Sequence, residues 1–226
     1  MPARPRAAAP RNVLFIGNSF TARNDLPGLI AALAAAGGTT FRHHLVQAGG
    51  ASLRTHWNAG HAARLIEGGG FDAVVLQEQS TLPVKNAARM HENVRLFDGV
   101  IRAAGAATVL YMTWARRDEP GAQAAITGAY TEIGQELGAT VVPVGTAWAR
   151  LLGARDRLVL HDRDGSHSTL AGSYLAACVF CGTLLRASPV GNAAPVAGLG
   201  AADRALLQKT AWAVCRPPRR KKATRG

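Results

Sequence analysis

Short β-branched runs alternate with longer stretches of helical period along this chain. Residues 13–16, 41–46, 73–76, 108–112 and 140–144 are too apolar for strands with one wet face and too short for helices. They therefore read as strands covered on both sides. Between them, apolar residues recur at helical spacing over 26–36, around 62–67, over 86–104 and over 123–137. Gly37 and Gly38, Gly105 and Gly138 follow three of these stretches, where glycine's access to positive φ closes a helix. A long helix is expected over 169–185 with Ser168 or Thr169 as its cap, and another over 201–214. The alternation predicts the α/β class, a parallel sheet between two helical layers. No internal repeat and no interdomain linker is visible, so residues 12–215 form one expected domain between two tails, 1–11 and 216–226.

Charge sharpens that division. Of the net +12, residues 1–11 contribute three arginines and residues 216–226 six basic side chains, with no acid in either, which leaves the body at +3. Nonspecific attraction to polyanions, nucleic acid included, is thus a property expected of disordered tails and not of the domain. Cys178, Cys181 and Cys215 offer no even disulfide framework, and Cys178-x-x-Cys181 falls inside a helical run, where it reads as core packing. A reducing, cytoplasmic setting is the corresponding expectation. No apolar run long enough for a signal peptide or a membrane span is present.

The first strand runs directly into Gly17-Asn18-Ser19-Phe20-Thr21. Ligands collect at the carboxyl ends of strands in open parallel sheets, so Ser19 stands at the edge where chemistry is expected. By itself it could equally be a turn serine that satisfies backbone groups. The second signal is Asp164-Gly165-Ser166-His167, ahead of the last long helix. A serine hydroxyl needs a base, and the base needs an acceptor to orient it. An acid three residues before an imidazole in one loop can bind one ring nitrogen while the other faces the hydroxyl. Asp162 is the alternative acid, at a less favourable spacing.

Taken together, a strand followed by Gly-Asn-Ser, a glycine-rich turn after the second strand, a polar turn after the third, and Asp-x-x-His before the C-terminal helix resemble the four blocks of the SGNH/GDSL serine hydrolases. The resemblance spans 12–187, and Asp164 to Ala177 is its most specific part. It implies a three-layer fold on a five-stranded, flavodoxin-like parallel sheet. It also implies Ser19 as nucleophile, His167 as general base and Asp164 as its orienting acid, with no metal and no organic cofactor. The oxyanion hole would be formed by the N–H of Ser19, the N–H of Gly50 (or its neighbour Gly49) and a third-block side chain. That block normally carries Gly-x-Asn but here reads Gln77-Glu78-Gln79-Ser80, similar to a branch with this variant. Gln79 would supply the third donor, with Gln77 the next candidate.

Trp114, after the fourth strand, is expected either to line a substrate pocket or to sit in the core. His43 and His44 point to opposite faces of a strand, and His56 and His61 lack partners at ligand spacing, so no metal site is expected. The function implied is cleavage of a small acyl ester, with carbohydrate O-acetyl groups ahead of lipids or thioesters. A catalytically silent relative, or a flavodoxin-like ligand-binding domain, is the competing reading.

Overall fold

The computed structural model describes residues 11–154 and 157–215; the basic segments 1–10 and 216–226 lie outside them. Five parallel strands, β1 (Asn12–Gly17), β2 (Arg42–Gln47), β3 (Ala73–Leu76), β4 (Ala107–Tyr111) and β5 (Thr140–Val142), form one sheet in the order β2-β1-β3-β4-β5. The helices in chain order are α1 (Ser19–Ala22), α2 (Leu26–Ala36), α3 (Leu53–Ala59), α4 (His61–Glu67), α5 (Leu82–Lys85), α6 (Ala87–Ala103), α7 (Gln123–Leu137), α8 (Val144–Gly153), α9 (Leu170–Thr183) and α10 (Ala201–Cys215).

The strand pleat divides the interior in two. Val13, Phe15, Val75, Val109, Tyr111 and Val142 face a core shared with α2, α8, α9 and α10. Leu14, Ile16, Val74, Leu76 and Leu110 face the opposite core, beneath α3, α4, α6 and α7. Alternate residues of one strand thus feed different layers, which explains why the central strands read as continuous apolar runs. Each large side chain so buried is worth about 1.5–3 kcal/mol. No helix among the described residues is long and apolar enough to cross a membrane.

One expectation needs correction, and two further features lie outside what the apolar pattern predicts. β2 is an edge strand and is not covered on both faces: none of its residues is fully buried, and Leu45 is left exposed. The chain also does not pass straight from β5 to the Asp-x-x-His loop. It enters α8 instead, and residues 158–161 return to the carboxyl edge, where His161 bridges to Ser168. Finally α1, α3 and α5, each seven residues or fewer, were too short to show a helical period. The cap of α9 is Thr169, whose hydroxyl accepts from the Gly172 N–H.

Candidate active site

Ser19 opens α1 at the carboxyl end of β1, and its placement follows from the two residues before it. Gly17 is closely packed: a Cβ there would lie 2.5 Å from Thr21 Oγ1 and 2.6 Å from Gln77 Oε1. Asn18, almost fully buried, caps α1 by accepting from the Phe20 N–H, and it donates from Nδ2 to the carbonyl of Ala51. One side chain therefore ends the strand, starts the helix and ties that turn to the loop after β2. The Asn18 N–H and the Thr21 hydroxyl both donate to Gln77 Oε1. His56 on α3, also buried, donates from Nε2 to the carbonyl of Gly17 at 2.8 Å.

The structure brings Ser19, His167 and Asp164 together across 148 positions of sequence. Ser19 Oγ is 2.8 Å from His167 Nε2, and His167 Nδ1 is 2.5 Å from Asp164 Oδ2. With Nδ1 donating to the carboxylate, Nε2 presents a lone pair to the serine O–H, the tautomer a general base needs. Asp164 Oδ1 accepts from the N–H groups of Ser166 and His167, at 2.9 Å each. These donors, led by the imidazole, hold its carboxyl well below the usual carboxylate range. Asp162 is turned away: it pairs with Arg23 and accepts from the Arg163 N–H.

The loop carrying Asp164 and His167 is clamped from three sides. Trp114 donates from Nε1 to the carbonyl of Ser166 at 2.9 Å, and the Arg117 N–H donates to the carbonyl of Gly165. Asn24, itself at φ 53°, donates to the carbonyl of Ser168 and to Ser173 Oγ. Gly165 sits at φ +68° against the Arg117 side chain, a left-handed conformation that favours glycine. Trp114 is only 2% exposed: its ring stacks on Trp148 at 3.8 Å and on Phe20 at 4.9 Å, and Phe20 in turn lies against His167. The tryptophan thus belongs to the core and holds the loop, while one edge borders the clefts beside the site.

Backbone donors converge on the same edge. Among the described residues, the N–H groups of Ser19, Gly49 and Gly50 have no protein acceptor. Gly50 adopts φ +67°. The two third-block glutamines divide cleanly. Gln77 is fully buried, with its oxygen accepting from Asn18 and Thr21 and its nitrogen donating to the carbonyl of Glu78. Gln79 uses only its oxygen, which accepts from the Thr81 N–H, the Thr81 hydroxyl and the Leu82 N–H. Its amide nitrogen remains uncommitted.

Glu78, between them, lies by its sequence position near the site as a supporting or solvent residue, and the structure shows it fully buried. Its Oε1 accepts from the Leu53 N–H at 3.0 Å and the Gln79 N–H at 2.7 Å, and its Oε2 accepts from Asn93 Nδ2 at 2.8 Å. Arg54 Nε donates to the other end of the Asn93 amide. Burial raises the Glu78 pKa, and the hydrogen bonds from Asn93, Gln79 and Leu53 oppose that rise. One carboxyl group therefore joins the turn after β2 to the turn after β3. The sequence signal for Asn18 was its place between a strand-ending glycine and Ser19, and Gln77 and Glu78 had only their polarity directly after an apolar strand.

No group of three or more metal-ligating side chains occurs among the described residues. His43 packs on Phe41, and His44 on Phe71. The cysteines are free thiols in or beside the core under α9 and α10, and burial pushes all three pKa values up, Cys181 to about 11.

No family model and no curated protein matches the sequence. Solved structures do. A protein from Slackia heliotrinireducens, provisionally described as an SGNH hydrolase, is 27% identical, with a TM-score of 0.64 over 78% of this chain and 99% of its own. The chain belongs to the SGNH/GDSL hydrolase superfamily. A DUF4886 family protein from Bacteroides uniformis superposes with a TM-score of 0.72 at 19% identity, over 90% of this chain and 94% of its own. An acetyl xylan esterase, AlAXEase, gives 0.58 at 15% identity over 75% and 97%. These two likenesses establish the shared SGNH-type fold.

Proposed function

We propose that this chain is a serine hydrolase that cleaves a small acyl ester through an acyl-enzyme on Ser19. The observation that carries this is the chain of contacts from Ser19 Oγ through His167 to Asp164, set beside backbone donors that lack acceptors. In this reading His167 Nε2 takes the hydroxyl proton as Ser19 Oγ attacks the ester carbonyl, and a tetrahedral intermediate forms. The developing oxyanion accepts from the N–H groups of Ser19 and Gly50 and from the amide nitrogen of Gln79. His167 then gives its proton to the leaving alcohol. Water, deprotonated by the same imidazole, attacks the acyl-enzyme and releases the acid, which restores the serine.

Gln79 takes the role because Gln77 has no free polar atom. The longer stem of Gln compared with Asn is anchored by the three donors to its oxygen, and this fixes the direction of the nitrogen. For the substrate, carbohydrate O-acetyl groups are favoured over long acyl chains. The cleft lined in part by Gln79 and Trp114 has a volume of about 260 Å³, and Ser80, Thr81, Lys85, Arg116 and Glu119 set polar groups suited to sugar hydroxyls beside Val84 and Ile126. The acetyl xylan esterase among the structural neighbours is in keeping with that choice.

Hydrolysis of p-nitrophenyl acetate tests the reading. The protein should turn it over, and Ser19→Ala and His167→Ala should each lower kcat by at least about 10³-fold. Activity that survives either change would exclude the mechanism.

A further inference from the structure

The cleft lined by Gln79 and Trp114 has an electrostatic character that a neutral substrate would leave unused. It is lined by the turn after β3, α5 and the segment after β4, with Gln79 and Trp114 among its residues. Two cations enter it from separate elements, Lys85 from the last turn of α5 and Arg116 from the segment after β4. Most arginines near the site are answered: Arg23 pairs with Asp162, Arg54 with Asn93 and Glu92, and Arg117 with Asp118 and the carbonyls of Asp162 and Arg163. Among the described residues neither Lys85 nor Arg116 has an ion-pair partner within 4.0 Å, although Glu119 borders the same cleft.

One unpaired surface cation means little. Two that line one cleft, beside the Ser80 hydroxyl and a carboxylate that can accept from a sugar hydroxyl, form a pattern with a chemical complement. A guanidinium binds a carboxylate through two parallel N–H groups, and an ammonium adds a point charge to it. The cleft volume of about 260 Å³ is on the scale of about one sugar ring.

We propose that the alcohol half of the substrate is an acidic sugar, with its carboxylate held by Arg116 and Lys85 and a ring hydroxyl donating to Glu119. This deepens the hydrolase reading and rests on it for the reacting ester, but the recognition can be measured without turnover. Ser19→Ala protein is titrated calorimetrically with two probes, an O-acetylated methyl glucuronoside and the matching O-acetylated methyl glucoside, which differ by a carboxylate.

The acidic probe should bind about tenfold more tightly at low salt. That preference should collapse in the Lys85→Ala/Arg116→Ala background and shrink at ~1 M salt, where the screening length is about 3 Å. Arg95→Ala, which removes an exposed arginine paired with Glu136 on α7, should keep the preference. Equal binding of the two probes, no binding of either, or a preference that outlasts the double substitution would overturn the proposal. Turnover of p-nitrophenyl acetate by the unsubstituted protein is read separately. Its absence together with a retained acid preference would sink the hydrolase reading alone.

Discussion

Replacing Glu78 tests whether one buried carboxyl holds the active-site turns in place. Glu78→Ala would strip the acceptor from three donors, the N–H groups of Leu53 and Gln79 and the Asn93 amide. At about 1–3 kcal/mol for each stranded group the cost is ~3–9 kcal/mol, comparable to the whole stability of a domain of this kind. That variant should fail to fold. Glu78→Gln is more informative. Both backbone donors use Oε1, so a carboxamide oxygen at that position keeps them, and its nitrogen then meets the donor end of Asn93. Asn93 cannot simply rotate its amide, because Arg54 Nε already donates to its oxygen. One donor–donor contact in the core should cost about 1–3 kcal/mol.

The reversal Glu78→Gln/Asn93→Asp restores complementarity: the carboxamide introduced at position 78 donates to the carboxylate introduced at position 93, and Arg54 faces that same carboxylate. Asn93→Asp alone sets two acids against each other in a buried site and should be the least stable of the three. Urea denaturation of the four proteins forms a double-mutant cycle, and the double variant should be at least about 1 kcal/mol more stable than additivity gives. The kcat toward p-nitrophenyl acetate should fall in Glu78→Gln and recover in the pair. Additive losses would refute the assigned contacts.

Gln79→Glu preserves the acceptor for Thr81 and Leu82, removes the nitrogen donor and sets a negative charge beside the developing oxyanion. It should lower kcat about 10²- to 10³-fold with little change in urea midpoint, whereas loss of stability without loss of kcat would return Gln79 to a purely structural part. Asp164→Asn should lower kcat by up to about 10⁴-fold through the wrong imidazole tautomer, measured at neutral pH. The same variant carries a pH signature. The folded-state pKa of Asp164 is depressed, so the stability it adds is present above the ordinary carboxylate value of about 4 and is lost as pH falls below that. The stability gap between wild type and Asp164→Asn should therefore narrow on acidification, and a gap that widens would contradict the paired carboxylate.

The legible parts of this protein are those with a period or a spacing. The central strands β1, β3 and β4, with α2, α6 and α7, announce themselves because burial on two faces or one demands a repeating pattern. Asp164 and His167 were readable for a different reason: a three-residue spacing in one loop is itself a geometry. What stayed hidden depends on contacts between distant turns. Gln77 and Glu78 look alike as polar residues after a strand, yet one is consumed by Asn18 and Thr21 and the other by Leu53 and Asn93. Trp114 looked as fit for a pocket as for the core. Its stacking on Trp148 and its hydrogen bond to Ser166 required α8 and the Asp-x-x-His loop to be in place. In β2 the polar Arg42, His43, His44 and Gln47 do suit an exposed strand, but that it is an edge is a property of topology, seen only in its single pairing with β1.

The central claim is that Ser19 is an activated nucleophile because His167 sits within hydrogen-bonding reach of it. Reaction of the folded protein with a fluorophosphonate, followed by peptide mapping, measures this most directly. The phosphonyl group should appear on Ser19 alone, and His167→Ala should slow its addition by orders of magnitude. Modification of a different serine, or none while the fold is intact, would contradict the account.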